Sequence, residues 1–303
     1  MNPIPPIRQT TRRLMPLHLL LGLGLASSAA ADTLDVLGTF IWKQDGAIGL
    51  SGLEVASDGT SFSTISDRGW YITGRFERQD GVLTDVTLHS LQPILGNDGL
   101  PVAARRVGDW SDAEGLAIGE NGAVWISYER WARVARHPTL TTASTWIADH
   151  PTFASYRDNR QLEALAIHPN GDLYTFAEEP LDGTFAIYRL SPNGWTIDGA
   201  IAPSDGFAIV GADFHTDGAL FLLERKLVLG LWWQSRVRRI SNITAPVEIE
   251  TLWTSARGAF GNLEGIAVWQ ATDGIRLTMV SDNNADADEQ TTFVEARVGP
   301  SED

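Results

Sequence analysis

Three glutamates, Glu114, Glu163 and Glu264, each open an apolar run that leads to a turn glycine. A second set of acids, Asp67, Glu129, Glu178, Glu179, Glu224 and Asp282, stands where the chain returns from such turns. A hairpin begins and ends at one edge, so both sets are predicted to gather at one rim. Two unit charges about 4 Å apart repel by roughly 4 kcal/mol at an effective dielectric near 20. Such a cluster either takes up protons or is neutralised by a cation. Calcium is the natural cation outside the cytoplasm, because it accepts roughly six to eight oxygen ligands. The expected ligands are Asp67, Glu114, Glu163, Glu264, Asp282 and Asn283. Glu54 and Asp213 are added from the two copies of the pattern that begin with Ser51 and Val210 instead of an acid. No pair of histidines suggests zinc. A hydrated, acid-lined channel without an ion is the alternative. The run Asp286, Ala287, Asp288, Glu289 lacks the glycine and spacing of a calcium loop, and reads as a solvated turn.

The elements that must hold these acids repeat along the chain. The clearest copy spans residues 161–179: a strand, an Asn170-Gly171 turn and a second strand. Aligning on the turn glycine finds other copies starting at Ser51, Glu114, Val210 and Glu264, a period of about fifty residues. Two weaker strands follow each hairpin, which makes four per repeat, the unit of a propeller blade. The last repeat has room for three strands, ending at 291–298. The segment 34–42 reads as a strand and is predicted to complete it, which closes the ring and leaves no open edge. The expected fold is therefore all-β, a β-propeller of five four-stranded blades. Six blades are the alternative if residues 82–110 hide a degenerate one; a pair of β-sandwiches is a second.

Residues 1–31 read as an export leader. Arg8, Arg12 and Arg13 precede a short apolar run, and Ala29, Ala30 and Ala31 offer small residues before Asp32. The Arg12-Arg13 pair fits either general or twin-arginine export, so the expected location is periplasmic or secreted. Residues 32–303 form the folded domain. The formal charge of −15 becomes about −18 without the three leader arginines. Such a surface repels nucleic acid and anionic membranes and attracts cations. Cysteine is absent, so disulfides, thiolate metal sites and cysteine nucleophiles are excluded.

Six segments, in this order, resemble the phytase-like family (esterase-like activity of phytase). They are Ser51-Gly52-Leu53, Ile65-Ser66-Asp67-Arg68-Gly69 and Asp112-Ala113-Glu114-Gly115-Leu116, then Asn159-Arg160-Gln161-Leu162-Glu163-Ala164, Asn262-Leu263-Glu264-Gly265-Ile266 and Ser281-Asp282-Asn283-Asn284. The resemblance covers almost all of residues 40–298. It implies a secreted or periplasmic propeller with metal-dependent phosphoester hydrolysis. The recurrent glutamate strand starts also resemble calcium-dependent apyrases, five-bladed propellers with a ring of acids around a central calcium. Val210 departs from such a ring.

The expected activity is calcium-dependent hydrolysis of a phosphoester or other anionic small molecule bridged by the metal. Glu114, Glu163, Glu264, Asp67 and Asp282 would hold the ion or act as base. Arg68 and Arg160, and also Arg130 and Arg225, would either clamp phosphate or pair with neighbouring acids. No nucleic-acid partner, no membrane after leader removal and a monomeric chain are expected. Two other readings stay open. One is a calcium-dependent lactonase or carboxylester hydrolase; no Gly-x-Ser-x-Gly segment supports a serine hydrolase, and His168 and His215 read as turn residues. The other is a non-catalytic binding propeller, in which Trp70, Trp131, Trp232 and Trp233 either stack on sugars or pack between blades.

Overall fold

The computed structural model of the chain describes Met1 and residues 32–104, 111–157, 160–243, 246–283 and 290–300. The leader, Asn284 and the Asp286–Glu289 run lie outside these. Among the described residues twenty strands, all antiparallel to their neighbours, form five four-stranded sheets. The first strand, β1 (Asp32–Trp42), belongs to the last sheet. Blade 1 contains β2 (Leu50–Val55), β3 (Ser61–Ser66), β4 (Trp70–Gln79) and β5 (Val82–Pro93). Blade 2 contains β6 (Ala113–Ile118), β7 (Val124–Tyr128), β8 (Arg133–His137) and the short β9 (Thr145–Trp146). Blade 3 contains β10 (Leu162–Ile167), β11 (Leu173–Ala177), β12 (Phe185–Ser191) and β13 (Gly194–Ile201). Blade 4 contains β14 (Ala208–Phe214), β15 (Leu220–Val228), β16 (Trp232–Ile240) and β17 (Ile249–Thr254). Blade 5 contains β18 (Asn262–Ala271), β19 (Gly274–Asp282), β20 (Thr291–Pro300) and β1. The five-bladed expectation holds. Residues 82–93 are the outer strand of blade 1, so no sixth blade begins there.

Burial explains the ring. Each of the five hydrophobic clusters is shared by two successive blades, so no blade has a core of its own. The seam that closes the circle, between blades 5 and 1, is rich in aromatic rings. Trp42, Phe62, Phe76 and Phe293 meet there, with Phe62 and Phe76 stacked at 4.5 Å and Phe76 edge-on to Phe293 at 5.2 Å. Arg78 on β4 pairs with buried Glu295 on β20 across the same seam. Among the described residues no helix is long and apolar enough to cross a membrane.

The inner strands β2, β6, β10, β14 and β18 share one local device. Each has a register irregularity against its hairpin partner, and it falls at Ser51, Glu114, Glu163, Val210 and Glu264 respectively. A bulge at a rim re-aims the side chain it carries. The residue that follows is glycine in four of the five copies, and the neighbouring blade's backbone explains why. A Cβ on Gly52 would stand 2.9 Å from the Glu114 carbonyl oxygen, and one on Gly115 would stand 2.6 Å from that of Glu163. On Gly211 it would stand 2.7 Å from the Glu264 oxygen, and on Gly265 it would stand 2.3 Å from that of Ser51. The Glu-Gly pattern is thus a packing requirement that brings inner strands close enough to crowd their acids. We expect Gly265→Ala to lower unfolding free energy by about 1–3 kcal/mol through overpacking against Ser51, measured by denaturant unfolding.

Candidate functional site: an acidic mouth with an internal cation

Counting from the hairpin turns places a second ring of residues at the mouth. Glu129 and Glu178 leave their second strands with backbone N–H bonds to Asp112 O and Gln161 O, and Asp67 bonds Gly49 O in the same way. In the ladders of blades 4 and 5 the corresponding residues are Arg225, opposite Ala208, and Asp282, opposite Asn262. A cavity of about 320 Å³ collects both rings: Asp67, Asp112, Glu114, Glu129, Arg160, Glu163, Glu178, Arg225, Glu264 and Asp282 line it.

The centre of this mouth is Glu129. One carboxylate oxygen each from Asp112, Glu114 and Glu129 lie within 4.8 Å of one another, and so do oxygens of Glu129, Glu163 and Glu178. Oxygens on opposite sides of a calcium ion stand roughly 5 Å apart, so both groups fit a hard cation in size and donor type. Burial pushes the Glu114 and Glu163 carboxyls well above the usual range, and neighbouring carboxylates add to the shift. Glu129 is pushed up to about 7, by burial first and then by Asp112 and Glu178. Asp67 is likewise raised to about 7, by burial and then by Asp282. Without a cation, this mouth holds protons near neutral pH.

Arg225 divides the mouth. Its guanidinium pairs with Glu264, donates to Asn262 Oδ1 at 2.8 Å and reaches Glu178 at 3.4 Å, over the Trp233 ring at 5.1 Å. Glu264 also accepts from Asn262 Nδ2 at 2.8 Å and from Ser51 Oγ at 3.4 Å. Glu264 is therefore neutralised by the protein itself, while Glu114, Glu129 and Glu163 face one another. Arg130 holds Asp112 at 3.0 Å. Arg160 is exposed on the cavity lining. Arg68 is half-exposed, 3.9 Å from Asp67 and outside that lining. Asn283 accepts a backbone bond from Gly49 at 3.1 Å and does not line the cavity.

Three expectations about the rim need correction. Glu54 and Asp213 do not join the mouth; they line a separate cavity of about 600 Å³ at the turn end of the inner strands. Three residues along a strand advance it by roughly 10 Å, which carries them down the channel. There they bolt blades together: Glu54 accepts from Ile118 N at 3.1 Å, and Asp213 from Val268 N at 2.6 Å and Phe214 N at 2.7 Å. Burial raises both carboxyls, Asp213 to about 7, and Asp213 adds to the rise at Glu54. Glu224 is the second correction. It falls one residue short of the rim position, and alternation turns it into the blade, where it pairs with Arg236 at 2.6 Å and with Arg238. The third is Glu179, which pairs with Arg157 beside the lining residue Glu178. His168 lines the far cavity and His215 bonds Gln270 at 3.1 Å, both at the turn end. The expected ligand set omitted Asp112, Glu129 and Glu178. A strict count from each turn glycine would have exposed Glu129, Glu178 and Arg225 as equivalent.

The raised carboxyls set the pH response of the cation-free protein. Their folded pKa values lie above the unfolded range near 4, so their protons favour folding below neutrality and stability falls as pH rises through about 7. We expect the melting temperature of chelated protein to drop by about 5 °C or more between pH 5.5 and 8, and calcium to restore more of it at pH 8. Arg225→Met should destabilise the cation-free protein by about 3 kcal/mol, because Glu264 loses its buried partner. Calcium should recover part of that loss in the same calorimetric scan.

Comparison with known proteins agrees with this architecture. Residues 46–285 match the phytase-like family, described as esterase-like activity of phytase. No curated protein matches the sequence. Among solved structures, a GH43 β-1,3-galactosidase is similar with a TM-score of 0.51 at 10% identity, over 88% of this chain and 94% of that one. An α-L-arabinofuranosidase from Podospora anserina is similar with a TM-score of 0.47 at 12% identity, over 90% and 98% of the two chains. A gluconolactonase from Xanthomonas campestris gives 0.40 at 13% identity, over 82% and 72%. At 10% identity the galactosidase speaks to the fold alone. The family match extends over most of the chain and contains every residue of the acidic mouth, so this protein belongs to the phytase-like family.

Proposed function

We propose that this protein is an exported, calcium-dependent hydrolase of small phosphoesters, working at the acidic mouth of the propeller. The observation that carries the reading is the convergence of Glu114, Glu129 and Glu163 around a cavity edged by Arg160. Family membership supports a hydrolase. The donors are all carboxylate oxygens, the chemistry of a calcium or magnesium site and not of a zinc site.

In this reading Glu129 holds the cation, together with Asp112 and Glu114 or with Glu163 and Glu178, the two groups whose oxygens lie within 4.8 Å of one another. A calcium ion bound there supplies Lewis acidity toward a phosphoryl oxygen. Arg160, exposed on the lining, binds a second anionic oxygen of the substrate. Asp67, raised to about 7, is matched to taking a proton from an attacking water at neutral pH. Arg225 keeps Glu264 and Glu178 from repelling the anionic substrate. Residues 1–31 direct the chain out of the cytoplasm, where millimolar calcium is available to a site of modest affinity.

The test is hydrolysis of inositol hexakisphosphate, nucleotides and nitrophenyl phosphate by the protein with calcium and with chelator. Calcium-dependent turnover is expected, and Glu163→Gln should reduce it about a hundredfold or more. Asp67→Asn should lower kcat by roughly the same factor and remove the rise of rate with pH near 7. Turnover insensitive to chelator would overturn the metal assignment. Turnover of lactones with no phosphoester hydrolysis would replace the substrate class.

A further inference from the structure

Trp131 is 66% exposed, so it does not pack between blades. Together with Trp146, which is 46% exposed, it lines a cavity of about 650 Å³. Its backbone takes φ 57, a left-handed conformation that bulky residues rarely adopt. Buried Arg133 holds this turn in place: its guanidinium lies over the Tyr128 ring at 3.9 Å and donates to Arg130 O at 2.7 Å and to Trp131 O at 3.3 Å. A large apolar side chain is thus kept in water on a strained backbone, as happens at ligand clamps. The cavity adjoins the acidic mouth. Arg160 lines the mouth, and Gln161, the next residue, lines the cavity; Glu129 and Trp131 divide in the same way, two residues apart.

The polar groups of the same lining say what it would hold. Gln161 is 6% exposed; its Oε1 accepts from Ala132 N, and its Nε2 makes no hydrogen bond among the described residues. A buried amide nitrogen left over beside a cavity calls for a partner inside it. His150 Nδ1 accepts from Thr152 N at 3.3 Å, which puts the ring proton on Nε2 as a second donor. Asp149 makes no hydrogen bond or ion pair among the described residues and supplies an acceptor. Arg133 draws the Asp149 carboxyl down against the rise that burial causes, so the cavity carries one charge of each sign. Donors and an acceptor therefore converge beside two indole rings, with no net charge to select an ion.

We infer that this cavity is a binding site for neutral saccharides, with a sugar ring stacked on Trp131 and its hydroxyls bonded to Asp149, His150 and Gln161. A sugar ring has an apolar face of C–H groups, which suits the electron-rich face of an indole. Each hydroxyl on its edge both donates and accepts, which matches a lining that offers both roles. A purely apolar ring would leave the Gln161 amide and the Asp149 carboxylate desolvated and unpaired. An anionic ligand meets Asp149 and a chain of formal charge −15. The volume falls in the range of small-molecule sites, roughly 300–1,000 Å³. This site needs no cation and stands apart from the chemistry of the mouth, although a saccharide bound here lies along the mouth's edge.

The test applies the protein, in chelator so that no mouth cation takes part, to a microarray of neutral oligosaccharides, and then titrates the bound sugars by calorimetry. Binding of at least one neutral saccharide is expected. Trp131→Asn should lower its association constant at least about tenfold, and Asp149→Ala should do so by a similar factor. Asparagine suits the left-handed turn, so the melting temperature of Trp131→Asn should equal or exceed the parent's, which separates lost binding from lost folding. Asp149 is exposed, so its replacement gives a second variant whose fold is not at issue. Adenosine serves as the planar aromatic control and should bind more weakly than the saccharide. No binding to any sugar on the array, or undiminished binding by both variants, would overturn the proposal. Adenosine binding that Trp131→Asn abolishes, with no saccharide bound, would overturn it by making the cavity a site for aromatic rings.

Discussion

The close approach of the five inner strands sets the terms for everything at the mouth. Gly52, Gly115, Gly211 and Gly265 let four of the five inner strands rest on the backbone of the next blade, and the bulge before each glycine turns the rim residue into the channel. Crowding of carboxylates follows directly from that packing. Glu114 and Glu163 are buried by the same contacts that bring them near Glu129. Desolvation and like-charge repulsion then act together, and both favour a proton or a cation over a bare carboxylate. The site's appetite for positive charge is thus a consequence of how the ring is packed.

The protein meets part of that demand itself. Arg225 replaces an acid in the outer ring of the mouth, and Val210 replaces one in the inner ring of the same blade. Blade 4 therefore contributes a cation where the others contribute acids. Glu264 and Glu178 are drawn toward Arg225, which leaves the excess negative charge on Asp112, Glu114, Glu129 and Glu163 and on the Asp67–Asp282 pair. The asymmetry breaks the five-fold ring into a neutralised side and an acceptor side. Glu54 and Asp213, at the other end of the channel, spend their hydrogen bonds on neighbouring blades and hold the cylinder together there.

Closure depends on a different chemistry. The seam between blades 5 and 1 joins the chain's two ends through β1 and β20, and it combines the Trp42, Phe62, Phe76 and Phe293 cluster with the buried Arg78–Glu295 pair. The Arg78–Glu295 pair lies toward the turn end of the blades, where Arg78 also donates to Gly59 O.

The sequence by itself determined the five repeats, four strands to a blade, the borrowing of β1 by the last blade, and the rim placement of Glu114, Glu163 and Glu264. Those features are local or periodic: turn glycines and alternating apolar residues encode them within about twenty residues. Contacts between blades were not legible in this way. The count that put Glu224 at the rim was off by one, and one residue in a strand is the difference between facing the channel and facing a core arginine. Glu54 and Asp213 looked like substitutes for missing acids because sequence distance does not show depth along a channel. That Arg225 would claim Glu264, and that Glu129 would be the hub between Glu114 and Glu163, only the tertiary structure decided. Those pairings join residues of different blades, and their distances are fixed by how the blades close into a ring.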